Sequence, residues 1–347
     1  MTSTETSKES QPKAMELNSA SLLKYMSLVL LTAQNAVFIL SMRYVRTREG
    51  DMFFTTSAVI LQEAIKCLLS LIIILVQEGS VKGWLLHLND NILRNPLDCI
   101  KVSVPSLIYT LQNNLIFIGV SNLDAAVFQV TYQLKILTTA VLSVIMLKKQ
   151  LSKVQWVALV ILFVGVSTVQ LQPENISKSK SSVPQNPFIG LVAVITACVM
   201  SGFAGVYFEK ILKGTSQSVW LRNVQLGGIG TVVGYITMEL SDGAAVREKG
   251  FFIGYDKWVW FVILLQSCGG LIVAVVVKYA DNILKGFATS AAIIISCIGS
   301  MFFFNFSLSK EFSIGASLVI AATYLYSKYV PPKPSPIIAP NGKITQT

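Results

Sequence analysis

Charge is what this chain has least of: Asp, Glu, Lys and Arg make up 13% of its 347 residues, about half the roughly 25% of an average soluble domain. A soluble enzyme of this composition would show water far more hydrocarbon than it tolerates. Histidine occurs once, at His87, which removes the usual parts of histidine metal sites and Ser-His-Asp triads. The cysteines, Cys67, Cys99, Cys198, Cys268 and Cys297, form no CxxC and fall within or at the edges of apolar segments. They exclude a disulfide framework and read as small buried hydrophobes. No Walker A, GxSxG or HExxH sequence occurs, which disfavours an ATP-driven pump and the common hydrolase chemistries. The basic excess, 28 Lys+Arg against 18 Asp+Glu, is scattered, so it makes no phosphate-tracking patch for nucleic acid. No metal or cofactor is implied.

Apolar residues, by contrast, make up 53% of the chain, and the mean hydropathy is +0.61. Windows of about 20 helical residues, enough to cross about 30 Å of hydrocarbon, fit ten times: 22–42, 53–76, 99–120, 125–147, 154–171, 188–212, 219–240, 258–280, 283–306 and 313–330. The fold class is therefore an all-α polytopic membrane protein with short loops. The longest connections, 77–98, 172–187 and 241–257, carry breakers such as Asn95-Pro96, Pro184 and Asp242-Gly243. Residues 1–20 show no cleavable signal peptide and read as an unstructured tail. The Pro-rich 331–347 reads as a second one. With the N-terminus cytosolic, the larger share of the basic residues falls on the cytosolic side, so both termini are placed there. The sequon Asn175-Ile176-Ser177 then lies on the lumenal side.

Sliding the chain on itself by 157 residues superposes Asp124 on Asp281, Ser143 on Ser300, and Leu151-Ser152-Lys153 on Leu308-Ser309-Lys310. Spans four and five thereby map onto nine and ten. The unit is five spans, 21–171 and 188–330, joined by a lumenal linker, 172–187. An odd number of crossings makes the second copy enter from the opposite side. Inverted repeats of this kind point to alternating access around a midplane site.

Lys135 sits eleven residues into span four, about 16 Å along the axis, too deep to reach either interface. A charge at the bilayer centre costs at least ~2.5–3.5 kcal/mol, so it calls for a partner or water. An anionic ligand fits, and so does an ion pair with Glu63 or Glu209. Glu63 already has Lys66 at i+3 on its own helix. Lys285, near the start of span nine, suits a phosphate at a helix N-terminus or can snorkel to headgroups; Lys101 reads as a snorkelling residue. In span three, Tyr109, Gln112 and Asn113 share one face, where they either bond neighbouring helices or line a wet cavity. Tyr132 and Gln133 stand one turn from Lys135, and Arg222, Asn223 and Gln225 open span seven. Gly202 and Gly205 admit close approach of a helix or a ligand.

The words Tyr109-Thr-Leu-Gln-Asn-Asn114, Ser121-Asn-Leu-Asp-Ala-Ala126, Thr131-Tyr-Gln-Leu-Lys-Ile-Leu-Thr-Thr139, Gly202-Phe-Ala-Gly-Val-Tyr-Phe-Glu-Lys210, Trp220-Leu-Arg-Asn-Val-Gln225 and Lys278-Tyr-Ala-Asp-Asn-Ile-Leu-Lys-Gly-Phe-Ala-Thr-Ser290 together resemble the Golgi nucleotide-sugar transporters. The resemblance spans about residues 20–330 and points to the branch of UDP-galactose, UDP-N-acetylglucosamine and CMP-sialic acid carriers. It implies a drug/metabolite-transporter-like architecture in the Golgi membrane. It also implies exchange of a cytosolic nucleotide sugar for a lumenal nucleoside monophosphate, with no bond made or broken. By the same resemblance Lys135 and Lys285 contact phosphate. Tyr109, Asn113, Tyr132 and Asn223 hold the nucleotide, while Gly202 and Gly205 serve packing or gating. A UDP-sugar exchanged for UMP is the expected cargo. The alternatives are CMP-sialic acid for CMP, or a membrane-embedded transferase, for which the intramembrane acids are few and dispersed. The partners are then the substrates and the lipid bilayer, with a homodimer left open.

Overall fold

A backbone kept from water must satisfy its own N–H and C=O groups, and in long apolar runs the α-helix does this within one segment. The computed structural model describes residues 10–171, 184–213, 217–279, 282–329, 337–338 and 344–345. In order these are α1 (Ser10–Thr47), α2 (Thr55–Glu78), α3 (Val81–Leu88), a π turn (Asn89–Leu93), α4 (Pro96–Asn122), α5 (Ala125–Thr131), α6 (Leu134–Leu147), α7 (Lys153–Gln170), α8 (Pro187–Lys213), α9 (Val219–Ser241), α10 (Gly243–Lys249), α11 (Lys257–Tyr279), α12 (Asn282–Phe304) and α13 (Lys310–Lys328). Each expected window falls on one of these helices, or on the pair α5 and α6. Five described segments, Leu28–Thr47, Thr55–Glu78, Ala125–Leu147, Lys153–Gln170 and Pro187–Ile211, are long and apolar enough to cross a membrane. Many large apolar side chains, among them Val76, Val160, Phe163, Phe302 and Phe303, point outward and uncovered, as they do where the solvent is lipid. The chain is a multi-pass membrane protein.

The structure departs from the expected outline in four places. α1 begins at Ser10, inside the stretch expected as a tail; Pro12 falls in its first turn, where the missing N–H costs nothing. The connections 77–98 and 241–257 are not bare loops but contain α3 with the π turn, and α10. Ser80 caps α3 by accepting the Gly83 N–H at 3.1 Å. Span four is broken: Gln133 N–H bonds Val130 O at 3.1 Å and Lys135 N–H bonds Tyr132 O at 3.2 Å, i to i+3 contacts that tighten the helix between α5 and α6. Finally, Ile337 pairs with Thr345 and Ile338 with Ile344 in an isolated antiparallel ladder, inside the stretch expected as the second tail. The sequon at Asn175 lies outside the described residues.

Packing runs in matched pairs. α8 packs on α4 and α6, as α1 packs on α11 and α12, while α2 crosses α9 and α7 crosses α13. The main core draws on both sets, with Phe38, Phe117, Phe128, Leu162, Ile263 and Phe312 buried in it. The 157-residue offset recurs in backbone detail. Lys148 and Asn305, that distance apart, are the described non-glycine residues at positive φ, each 52°. Lys149 N–H bonds Ser143 O at 3.2 Å, and Phe306 N–H bonds Ser300 O at 3.1 Å. Ser152 Oγ then accepts the Gln155 N–H at 3.2 Å, and Ser309 Oγ the Phe312 N–H at 3.0 Å. One helix exit and one helix entry are thus built twice by the same rule. Asp281, the counterpart of Asp124, lies outside the described residues.

Candidate functional site

The break in span four sets Lys135 at the second residue of α6. Just before it, Gln133 Nε2 donates to Gln129 O at 3.1 Å, and Thr131 Oγ1 to Val127 O at 2.7 Å. The Lys135 ammonium lies 4.4 Å from the centre of the Tyr132 ring, within cation–π range. That ring stacks on Phe128 at 5.5 Å, and its hydroxyl accepts Gln112 Nε2 at 2.8 Å. Beside them is a cavity of about 170 Å³ walled by Asn35, Gln129, Tyr132, Gln133, Lys135 and Gln266, with Phe38, Ile39, Ile116 and Phe128 as its apolar side. It is smaller than the ~300–1,000 Å³ of drug-sized ligand pockets, so a larger ligand requires the helices to part. Gln112 Oε1 and Gln133 Oε1 are buried with no hydrogen-bond partner among the described residues. A buried acceptor left unpaired costs about 1–3 kcal/mol, a cost that a ligand donor would relieve.

One helical turn from Gln112, Tyr109 comes up against α8. A Cβ built on Gly205 would stand 3.7 Å from the Tyr109 hydroxyl, an ordinary contact, whereas one on Gly202 would lie 2.7 Å from Thr138 Oγ1 and 2.9 Å from Thr139 N. The two glycines therefore differ: Gly202 lets α8 lie against the α6 backbone, and Gly205 leaves room beside a site tyrosine. Asn113 Nδ2 donates to Glu63 Oε1 at 3.3 Å, and Glu63 Oε2 holds the Lys66 ammonium at 2.5 Å. The i, i+3 pair expected at Glu63 is present. Glu209, the other acid weighed as a partner for Lys135, holds Lys149 at 2.7 Å.

Asn223 stands apart from this group. It sits in the second turn of α9, seven residues from Gly230, which lies against Glu63; that is about 10 Å along the axis. Its neighbour Arg222, fully buried, grips Asp98 at 2.5 and 3.1 Å and Gln225 at 2.7 Å. The side chain of Lys285 lies outside the described residues. Its helix, α12, packs on α5, which carries one wall of the cavity. Composition gave no prominence to Asn35, Gln129 and Gln266; the available signal was an amide inside an apolar window.

Polar contacts tie the bundle at both ends. At one end Arg43, fully buried, donates to Val120 O at 2.9 Å, Asp124 Oδ1 at 3.3 Å and Gln185 Oε1 at 2.9 Å. Arg48 meets Asp256 there at 2.5 Å. The hydrogen bond from Arg48 holds the Asp256 carboxyl below the usual carboxylate range. The opposite end carries the Asp98 and Arg222 pair and Lys149 with Glu209.

A family model described as nucleotide-sugar transporter matches residues 19–327. The UDP-galactose translocator of Bos taurus is 55% identical over 306 residues, covering 88% of this chain and 78% of that protein. The UDP-N-acetylglucosamine transporter of Homo sapiens is 49% identical over 317 residues, covering 90% of this chain and 97% of that one. A solved structure described only as a crystal structure of a protein aligns with a TM-score of 0.55 at 13% identity, over 90% of this chain and 98% of that one. That likeness speaks to the fold alone.

Proposed function

We propose, for a chain that belongs to the nucleotide-sugar transporter family, that it exchanges a cytosolic UDP-sugar, UDP-galactose or UDP-N-acetylglucosamine or both, for lumenal UMP across the Golgi membrane. The observation that carries this is Lys135, seated at a helix break beside a polar cavity and stacked on Tyr132. A cation beside a polar cavity and an aromatic face suits an anionic ligand. A nucleotide phosphate supplies one. Lys285 joins it on the phosphate, while Tyr109, Tyr132, Asn113 and Asn223 hold the nucleoside. Asn113 reaches its ligand by leaving Glu63, which keeps Lys66, and Asn223 closes on it from the end of α9.

In this reading the chain crosses the membrane ten times as two inverted five-helix repeats, with both termini cytosolic. The matched packing and the recurrence of caps at a spacing of 157 residues support it. Two halves of opposite orientation exchange conformations, so one set of end contacts releases while the other holds. Substrate and counter-substrate share the nucleotide moiety and compete for one site. Exchange follows from their differential affinity for the occluded state.

The test is counterflow. Purified protein in liposomes loaded with UMP or CMP is challenged with a panel of labelled nucleotide sugars. UMP-loaded vesicles are expected to take up UDP-sugars, and unloaded vesicles far less. Stimulation by CMP alone would move the cargo to CMP-sialic acid. A labelled covalent product would replace transport with transferase chemistry.

A further inference from the structure

Between α2 and α4 the chain does not simply turn. It runs along the end of the bundle as α3 and the π turn, and one face of this excursion is docked. Trp84 donates its indole N–H to Leu71 O at 3.1 Å, and Trp84, Leu88 and Ile92 pack with Ile74, Leu221 and Val224. The other face is uncovered and apolar: Val81, Leu85, Leu86, Leu93 and Leu97 are each more than half exposed. Val76 of α2 and Ile100 of α4, on either side of this excursion in the chain, are likewise exposed, 75% and 62%.

The charges around this face are not balanced. Asp90 is met by Arg94 at 2.9 Å and Asp98 by Arg222 at 2.5 Å, while Glu78 has only the His87 ring beside it, at 3.0 Å. Lys82 and Lys101, both exposed, form no ion pair among the described residues, although Asp98 lies within electrostatic reach of Lys101. An amphipathic segment with a bare apolar side and cations at its rim matches the bilayer interface, where hydrocarbon lies below and phosphate above. Long basic side chains reach that phosphate layer readily.

We propose that α3 and the π turn form an interfacial foot lying in the headgroup layer, with Lys82 and Lys101 on the phosphates of anionic phospholipids. The foot requires the membrane reading but not the exchange reading, and its failure would leave UDP-sugar transport untouched. It gives this end of the bundle a preference for the leaflet that carries negative charge.

The experiment is hydrogen–deuterium exchange of full-length protein in nanodiscs of phosphatidylcholine alone or doped with phosphatidylserine. In the wild type, exchange across residues 81–94 is expected to slow by up to about thirtyfold on adding phosphatidylserine, the scale set by two basic residues near a charged surface. The double variant Lys82→Glu/Lys101→Glu is expected to lose that slowing, and Lys249→Glu on α10 to keep it. Counterflow and melting temperature confirm that the variants are folded. Identical wild-type exchange in both lipids would overturn the proposal, as would slowing that survives the charge reversal. Slowing seen only with several copies per disc would also overturn it, by giving the face to a second copy of the chain. Should the double variant not fold, the wild-type comparison between lipids decides alone.

Discussion

Gly202 and Gly205 lie one turn apart on α8, and alanine should separate them. At Gly202 the added Cβ would stand 2.7 Å from Thr138 Oγ1 and 2.9 Å from both Thr138 C and Thr139 N. Contact between nonbonded heavy atoms is comfortable at about 3.5–4.0 Å, and two of these neighbours are backbone that cannot rotate away. α8 must therefore back off α6, which also pulls on the Thr138 Oγ1 bond to Cys198 O at 2.7 Å. Overpacking of this kind costs about 1–3 kcal/mol, and loss of the hydrogen bond about 1 more. Replacing glycine in a helix interior returns up to about 1 kcal/mol of propensity, equally at both sites. Gly202→Ala is expected to be destabilised by about 1–3 kcal/mol. Gly205→Ala, with its nearest neighbour at 3.7 Å, is expected to be neutral or slightly stabilised. Thermal unfolding of the purified variants reads the difference, with counterflow measured in parallel. Equal melting of the two, or a more stable Gly202→Ala, would refute the assignment of Gly202 to helix packing.

Three further outcomes are expected. Lys135→Ala should abolish counterflow while a cooperative thermal transition shows that the variant still folds; normal transport by that variant would take the lysine out of the mechanism. Arg43→Met leaves Asp124, itself 6% exposed, without its arginine, and should lose about 3–5 kcal/mol in chemical unfolding; the double variant Arg43→Met/Asp124→Leu should recover most of this, and a double no better than the single would contradict the pairing. Asp256 is held below the ordinary carboxylate pKa by its bond from Arg48, so its contribution is present above that value and fades as pH falls through the lower, folded one. The melting difference between wild type and Asp256→Asn should therefore stay constant from neutral pH down to about pH 5 and close only below about pH 4; closure near pH 6 would rule the contact out as its cause.

Apolar runs of spanning length were enough to locate every long helix, because hydrocarbon leaves the backbone so few choices. The pair Glu63 and Lys66 was legible from helical spacing. The break after Thr131 was not, since neither proline nor glycine marks it. Asn35 and Gln266, on helices far apart in the chain, meet at the cavity only through tertiary packing. The repeat showed in sequence as a few identities, whereas the backbone repeats a positive φ at Lys148 and Asn305 where the residue types differ. Conformation there is set by the helix exit more than by the side chain. α3 was hidden by breaker residues that cap a short helix as readily as they open a loop.

α4 is fastened at both tips. Asp98 in its first turn is clasped by Arg222 of α9, and the Val120 carbonyl in its last turn by Arg43 of α1, with Pro105 as a natural flexing point between them. A rod moored in this way swings about whichever mooring holds when the other slips. On the proposed mechanism, a continuous hole through the bilayer would need both to slip at once. In the exchange cycle proposed above, ions and metabolites of the two compartments would then stay separate for as long as one mooring holds.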